Sequence, residues 1–269
     1  MRIEFDGIWR ASNTPEGPVT THVTAEHGRV TVRAWGDGAA WALEAAPALV
    51  GAEDSDGGFR PKHPVLTDLM RRLRGLRIPR SQAVTEALVP TIIEQKVLGI
   101  EARRSYAKLV RRYGLPAPGP GELLLPPSPT LLSRTPAYAF HPFGIEQKRA
   151  DTIKKACAYS RRLDETVRMD SDAAFRRLTA LPGIGAWSAA EVAIVALGDA
   201  DAVSVGDFHL PNQVSFALTG EPRGDDDKML ELLEPYRGHR GRVIRLICAG
   251  HPAPPRYGPR LPLQDIAGL

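Results

Sequence analysis

An α+β protein, with a small N-terminal sheet and a larger helical part, is what the order of hydrophobic periods in this sequence predicts. Three observations carry that expectation. IEFDGIWRA and RVTVRAW, within the first 50 residues, alternate with the period of two of half-buried strands. From Val65 the apolar spacing becomes that of helices and stays so to about residue 250. No internal repeat runs along the chain, which sets aside a solenoid. The organisation expected is a β-rich part over 1–62, a helical region over 63–250 and a proline-rich tail over 251–269, extended from His251 onward.

The elements follow in order. GAEDSDGGFRPKHP is a loop; its DSDG fragment lacks the later ligand positions of a calcium loop and reads as a turn. VLTDLMRRL has helical spacing. In the long stretch SQAVTEALVPTIIEQKVLGIEARRSYAKLVRRYG, Ser81 is an N-cap candidate, Pro90 should end or kink the helix, and Gly99 and Gly114 mark stops. LPAPGPGELLLPPSP is a connector. IEQKRADTIKKACAYSRRL is a helix, and Asp170 or Ser171 caps the next, through Phe175 and Leu178. LPGIG is a tight hairpin that opens the helix AWSAAEVAIVALG. After the irregular VSVGDFHLPN come a short helix, a helix over Asp227 to Leu233, and YRGHRGRVIRLICAG.

Composition narrows the functions. The 269 residues are 43% hydrophobic and 25% charged, the balance of a globular chain rather than a disordered, collagen-like or coiled-coil one. No apolar run approaches the roughly 18 residues of a membrane span, and MRIEFDGIWR has no signal-peptide core, so a cytoplasmic place is expected. Two cysteines, Cys157 and Cys248, exclude a disulfide scaffold and any four-cysteine cluster. The formal net charge of +4 favours an anionic partner. Arginines crowd two stretches: Arg71, Arg72, Arg74, Arg77 and Arg80, then Arg237, Arg240, Arg242 and Arg245. Either cluster taken alone reads as a solvated face.

The chemistry lies in LPGIGAWSAAEVAIVALGDADAVSVGDFHLPN. Gly183 and Gly185 flank Ile184 in a turn between helices, where unblocked backbone N–H groups and a helix N-terminus suit a phosphate. A dinucleotide fingerprint would need a preceding strand and a third glycine, and both are missing. Asp207 follows in an irregular segment among apolar neighbours, either as a cap for the helix at Leu210 or as a functional carboxylate; one residue can be both. His209 stands two residues on, as a phosphate contact, an orienting group or a structural hydrogen-bonder.

LPGIGAWSA followed by an Asp at this distance resembles the helix-hairpin-helix DNA glycosylases, and within them the 3-methyladenine DNA glycosylase II branch. GLRIPRSQAVTEALVPTIIEQKV, GIEQKRADTIKKA and EPYRGHRGRVIRLI resemble further stretches of that branch in the same order, over about residues 75–250. The resemblance implies a mostly helical glycosylase core behind a small antiparallel sheet. It implies that Asp207 is the catalytic carboxylate, set beside an oxocarbenium-like sugar as a base departs. It puts Trp187, Glu191 and Tyr236 around the base. It puts Gln95, Lys96, Val97, Gly183, Gly185, Ala186, His209 and Arg237 on DNA, with Lys96 or Val97 as the wedge that fills the gap left by the flipped nucleotide. It further implies an alkali ion, Na+ or K+, on the carbonyls of Thr179, Leu181 and Ile184. The family's iron–sulfur cluster has too few cysteines here.

Two positions depart from the branch. Glu191 replaces an aromatic, so it either shapes the pocket toward a cationic or hydrogen-bond-donating base or faces solvent. Lys96 replaces an apolar wedge. Where glycosylases that cut the backbone carry a Schiff-base lysine, this chain has Trp187, which implies a monofunctional enzyme without lyase chemistry. The expected partner is duplex DNA with a damaged base, bound by a monomer, with no cofactor required. Two readings stand beside it: a glycosylase for oxidised, mismatched or bulky-adduct bases, and a DNA binder that keeps the hairpin without chemistry.

Overall fold

The computed structural model describes residues 1–255. Four antiparallel strands form a meander in the order β1 (Arg2–Glu4), β2 (Gly7–Thr14), β3 (Gly17–Glu26) and β4 (Arg29–Trp35). The third strand carries no clean alternation in the sequence. Its Val19, Thr20, Thr21 and His22 are all buried, so both faces are covered at its centre and the period of two is lost. A short helix α1 (Ala39–Glu44) packs on β3 and β4, and α2 (Ala46–Leu49) follows against α1.

The helical part runs through α3 (Pro64–Arg72), α4 (Val84–Glu94), α5 (Gly99–Tyr113), α6 (Pro129–Arg134), a 3₁₀ turn at Ala137–Phe143, α7 (Gln147–Ala158) and α8 (Ser160–Asp164). It continues through α9 (Ser171–Thr179), α10 (Ala186–Val192), α11 (Leu210–Thr219), α12 (Asp226–Leu233) and α13 (Arg240–Gly250). Five residues of π-helix, Ala193–Leu197, prolong α10. Asp170 caps α9 through Ala173 N–H at 2.7 Å, as its spacing implies.

Four local expectations are corrected. Ser81 does not cap α4: Gln82 adopts φ +55, which keeps the chain out of helix until Ala83, and Asp164 bonds Thr85 N–H instead. Pro90 does not end α4, because Leu88, Val89, Ile92 and Ile93 are buried on either side of it and their packing carries the helix to Glu94. Gly99 starts α5 rather than stopping a helix; the break falls at Lys96, at φ +58. The helix expected from Asp227 starts at Asp226, one residue after the Asp225 cap, whose side chain accepts Lys228 N–H at 2.9 Å.

Two cores result. Ile92, Ile93, Leu109, Phe140, Ile153, Leu178 and Ile184 build one, around α4, α5, α7, α9 and α10. Phe59, Leu66, Leu69, Val214, Met229 and Val243 build the other, around α3, α11, α12 and α13. Phe59 and Asp54 precede residue 62 yet pack with the helical region. The sheet docks on α4 through Glu86, which accepts from Arg10 (2.9 Å), Ser12 (2.6 Å) and Asn13 N–H (3.0 Å). No helix among the described residues is long and apolar enough to cross a membrane. Residues 251–255 form no regular element, and the rest of the tail lies outside the described residues.

Candidate active site

The hairpin comes first, because its backbone sets the rest. Ile184 is buried in the first core, which leaves Pro182, Gly183, Gly185 and Ala186 exposed at the tip. Gly183 has φ +98, and a Cβ there would lie 2.5 Å from Thr152 Oγ1 and 2.8 Å from its Cγ2. Gly185 has an extended backbone, and nothing lies within 4 Å of the Cβ it lacks, so its outer side is open. Gln95, between α4 and α5, donates from Nε2 to Gly183 carbonyl and to Ser188 Oγ, both at 2.9 Å, and ties the hairpin to the turn at Lys96. In that turn Lys96 is exposed in the left-handed region, whereas Val97 packs on the first core. Gly183→Ala is expected to lower stability by about 1–3 kcal/mol through backbone strain and the Thr152 clash. A urea midpoint equal to that of the parent protein would contradict this.

Asp207 sits where the two cores meet. Its Oδ1 accepts His209 N–H at 2.7 Å and Leu210 N–H at 2.9 Å, so it caps α11. Its Oδ2 accepts the indole N–H of Trp187, 3.1 Å away on α10. The side chain is half-buried, as is Trp187. The two residues named from the motif are therefore joined directly across the junction of the cores.

The segment carrying Asp207 is fastened from outside. Asp226 accepts Gly206 N–H at 3.0 Å. Asp201 accepts Gly238 N–H at 2.7 Å and Arg240 N–H at 3.0 Å, and holds the Arg240 guanidinium as well. These bonds show what the second arginine cluster does. Arg240 pins this loop, Arg242 forms a buried pair with Asp54, and Arg237 is exposed but engaged with Glu234 at 2.8–2.9 Å. In the first cluster Arg71 and Arg72 pair with Asp68. Neither stretch is a simple face of free cations.

The remaining residues divide. Glu191 is half-buried: its Oε1 accepts from the hydroxyl of Ser204, itself fully buried, at 2.5 Å. Burial, then the nearby anions Asp207 and Glu94, push its carboxyl above the usual range, against the pull of the Ser204 bond and Arg245. Tyr236 goes elsewhere. It is 7% exposed in the second core, edge-on to Phe59 at a centroid distance of 5.9 Å, and burial pushes its phenol up. His209 is exposed, with its ring against Phe208. Thr179 ends α9, and Leu181 carbonyl accepts Ile184 N–H at 3.0 Å.

Reading the sequence missed three participants. Ser204 carries no signal of its own. Arg245, half-buried near Glu191, was hidden inside an arginine run. Phe208, 79% exposed, could have been noted from its place beside the acid.

This architecture, a glycine hairpin against a capped Asp behind a four-stranded sheet, is the fold of the helix-hairpin-helix DNA glycosylases. It superimposes on 3-methyladenine DNA-glycosylase from Archaeoglobus fulgidus with a TM-score of 0.75 at 19% identity, covering 91% of this chain and 87% of that one. An 8-oxoguanine glycosylase/lyase of Clostridium acetobutylicum gives 0.68 at 14% identity, over 89% and 85% of the two chains. In sequence, the chain is 28% identical over 151 residues to the probable bifunctional transcriptional activator/DNA repair enzyme AlkA of Mycobacterium tuberculosis. That match covers 55% of this chain and 30% of the relative, so the chain matches less than a third of the relative's length. No family model matches.

Proposed function

We propose that this protein is a monofunctional DNA glycosylase that flips and hydrolytically removes alkylated bases of the 3-methyladenine and 7-methylguanine type from duplex DNA. The observation that carries the reading is the Asp207 carboxylate, held by a helix end and the Trp187 indole beside an exposed glycine hairpin. An anion fixed before the reaction stabilises the sugar cation without reorganising. It also orients the water that completes hydrolysis. The Trp187 face stacks on the flipped base, and a cationic alkylated base strengthens that contact. Trp187 supplies no amine for a Schiff base, which supports hydrolysis without strand cleavage.

The hairpin tip at Gly183, Gly185 and Ala186 grips a phosphate through its N–H groups, and Lys96, exposed on its strained turn, enters the duplex in place of the flipped nucleotide. Neutral carbonyl oxygens at Thr179, Leu181 and Ile184 are the hard donors an alkali ion takes, and Leu181 keeps one lone pair for it. When bound, such an ion adds positive charge beneath the phosphate. The protein acts as a monomer in the cytoplasm.

Incubation with methylated duplex DNA is expected to yield abasic sites that break only after alkali. Breaks without alkali contradict the monofunctional assignment, and absence of abasic sites contradicts the glycosylase reading. Gly185→Ala is expected to weaken DNA binding several-fold while the thermal midpoint stays put, because its Cβ enters open space that the phosphate would occupy. Unchanged affinity would remove the hairpin from the interface.

A further inference from the structure

Glu191 lies beside Asp207 and Trp187 in a place that removal of cationic bases does not use. It lies one helical turn from Trp187 on α10, so the two share a face, and Trp187 is bonded to Asp207. Ser204 secures Oε1. Oε2 has no hydrogen-bond partner among the described residues and is not sealed from solvent. Among the carboxylates that serve structure, the caps Asp170 and Asp225 and the loop anchor Asp226 also engage one oxygen. Asp54, Asp201 and Glu86 each engage both oxygens. Glu191 keeps one oxygen open, and the neighbouring Arg245 makes no hydrogen bond to it.

A base without an alkyl charge is a poor leaving group, since the electron pair of the broken C1′–N bond would be left on an anion. We infer that Glu191 is a second catalytic carboxyl, which passes a proton from Oε2 to a ring nitrogen of a flipped, uncharged purine as its glycosidic bond breaks. This inference rests on the glycosylase reading of Asp207.

The step balances. The C1′–N pair moves into the base, the Glu191 O–H pair stays on Glu191, and the base leaves neutral. Water adds to C1′ and gives its proton to Asp207, and solvent then returns a proton to Glu191 and takes one from Asp207. The groups facing Glu191 are Asp207 at the head of α11, Glu94 at the end of α4, and Arg245 and Cys248 on α13. Burial first, then the two anions, raise Glu191 from its ordinary 4.5, so its acid form persists to higher pH. Two carboxyls with separated tasks are the arrangement that cleaves glycosides.

The test uses the full chain and two duplexes, one carrying a single 7-methylguanine and the other a single hypoxanthine, under single-turnover conditions across pH 5–9 in round terms. The hypoxanthine-to-7-methylguanine rate ratio of the parent protein is expected to fall as pH rises, a result independent of any variant. Glu191→Gln, which keeps the acceptor oxygen for Ser204, is expected to lower that ratio by roughly 10²-fold and flatten its pH profile. A purely structural role would slow both substrates equally and leave the ratio and its profile intact, which overturns the inference. A parent protein that releases 7-methylguanine but never hypoxanthine also overturns it and leaves the glycosylase reading standing. Release of neither base overturns that reading itself.

Discussion

Asp207→Asn is expected to slow base release by about 10²–10³-fold, the effect of removing one preorganised electrostatic group, while duplex affinity stays within a few-fold of the parent. The asparagine oxygen can still accept His209 and Leu210 N–H, so the cap on α11 survives. Its amide, however, would face the Trp187 N–H donor that Oδ2 now accepts, so one bond across the cores is lost, at about 1 kcal/mol. A fall in release far larger than the fall in stability separates charge from scaffold. Single-turnover release beside a urea titration makes the measurement, and an asparagine variant as active as the parent would remove Asp207 from the chemistry.

The largest stability effect is expected at the Asp54–Arg242 pair. Its side chains are 7% and 6% exposed, and Arg242 reaches both carboxyl oxygens at 2.6–2.9 Å. Asp54 also accepts Ile78 N–H at 3.0 Å, which joins the loop after α2, the chain before α4 and α13 at one carboxylate. Asp54→Asn would leave the Arg242 charge buried without its counterion, at a cost of about 3–5 kcal/mol in a urea titration. Burial raises the Asp54 carboxyl, but the Arg242 and Ile78 hydrogen bonds, with the charges of Arg242 and Arg77, bring it below its ordinary 3.8. A carboxyl lowered in the folded state stabilises the fold above its unfolded value, and that contribution disappears as pH falls through the folded one. The parent protein is therefore expected to lose stability below about pH 4 more steeply than the variant. Parallel acid profiles would argue that the pair carries no net weight.

The site was legible where its signal is short-ranged. The hairpin glycines, the buried Ile184 between them and the capping Asp207 all lie within one stretch, and each obeys a local rule of turn or cap. Asp170 and the helix at Gln147 were legible for the same reason. The arginine clusters were not, because their partners come from afar: Asp54 lies 188 residues before Arg242, and Asp201 meets Arg240 across 39. The same limit hid Ser204 as the clamp on Glu191 and drew Tyr236 toward Phe59. Pro90 was misread and β3 went unrecognised for a related cause, since burial on both sides overrides a helix breaker and erases alternation.

By itself the sequence determined the succession of strands and helices, the glycine turn and the acid that follows it, since backbone sterics, capping and hydrophobic period act over a few residues. Only the tertiary structure decided which charges are free, which are neutralised in the interior, and that Glu191 lies near Asp207. Desolvation and ion pairing depend on every atom within a few ångströms, and the chain assembles those neighbourhoods only when its two cores come together.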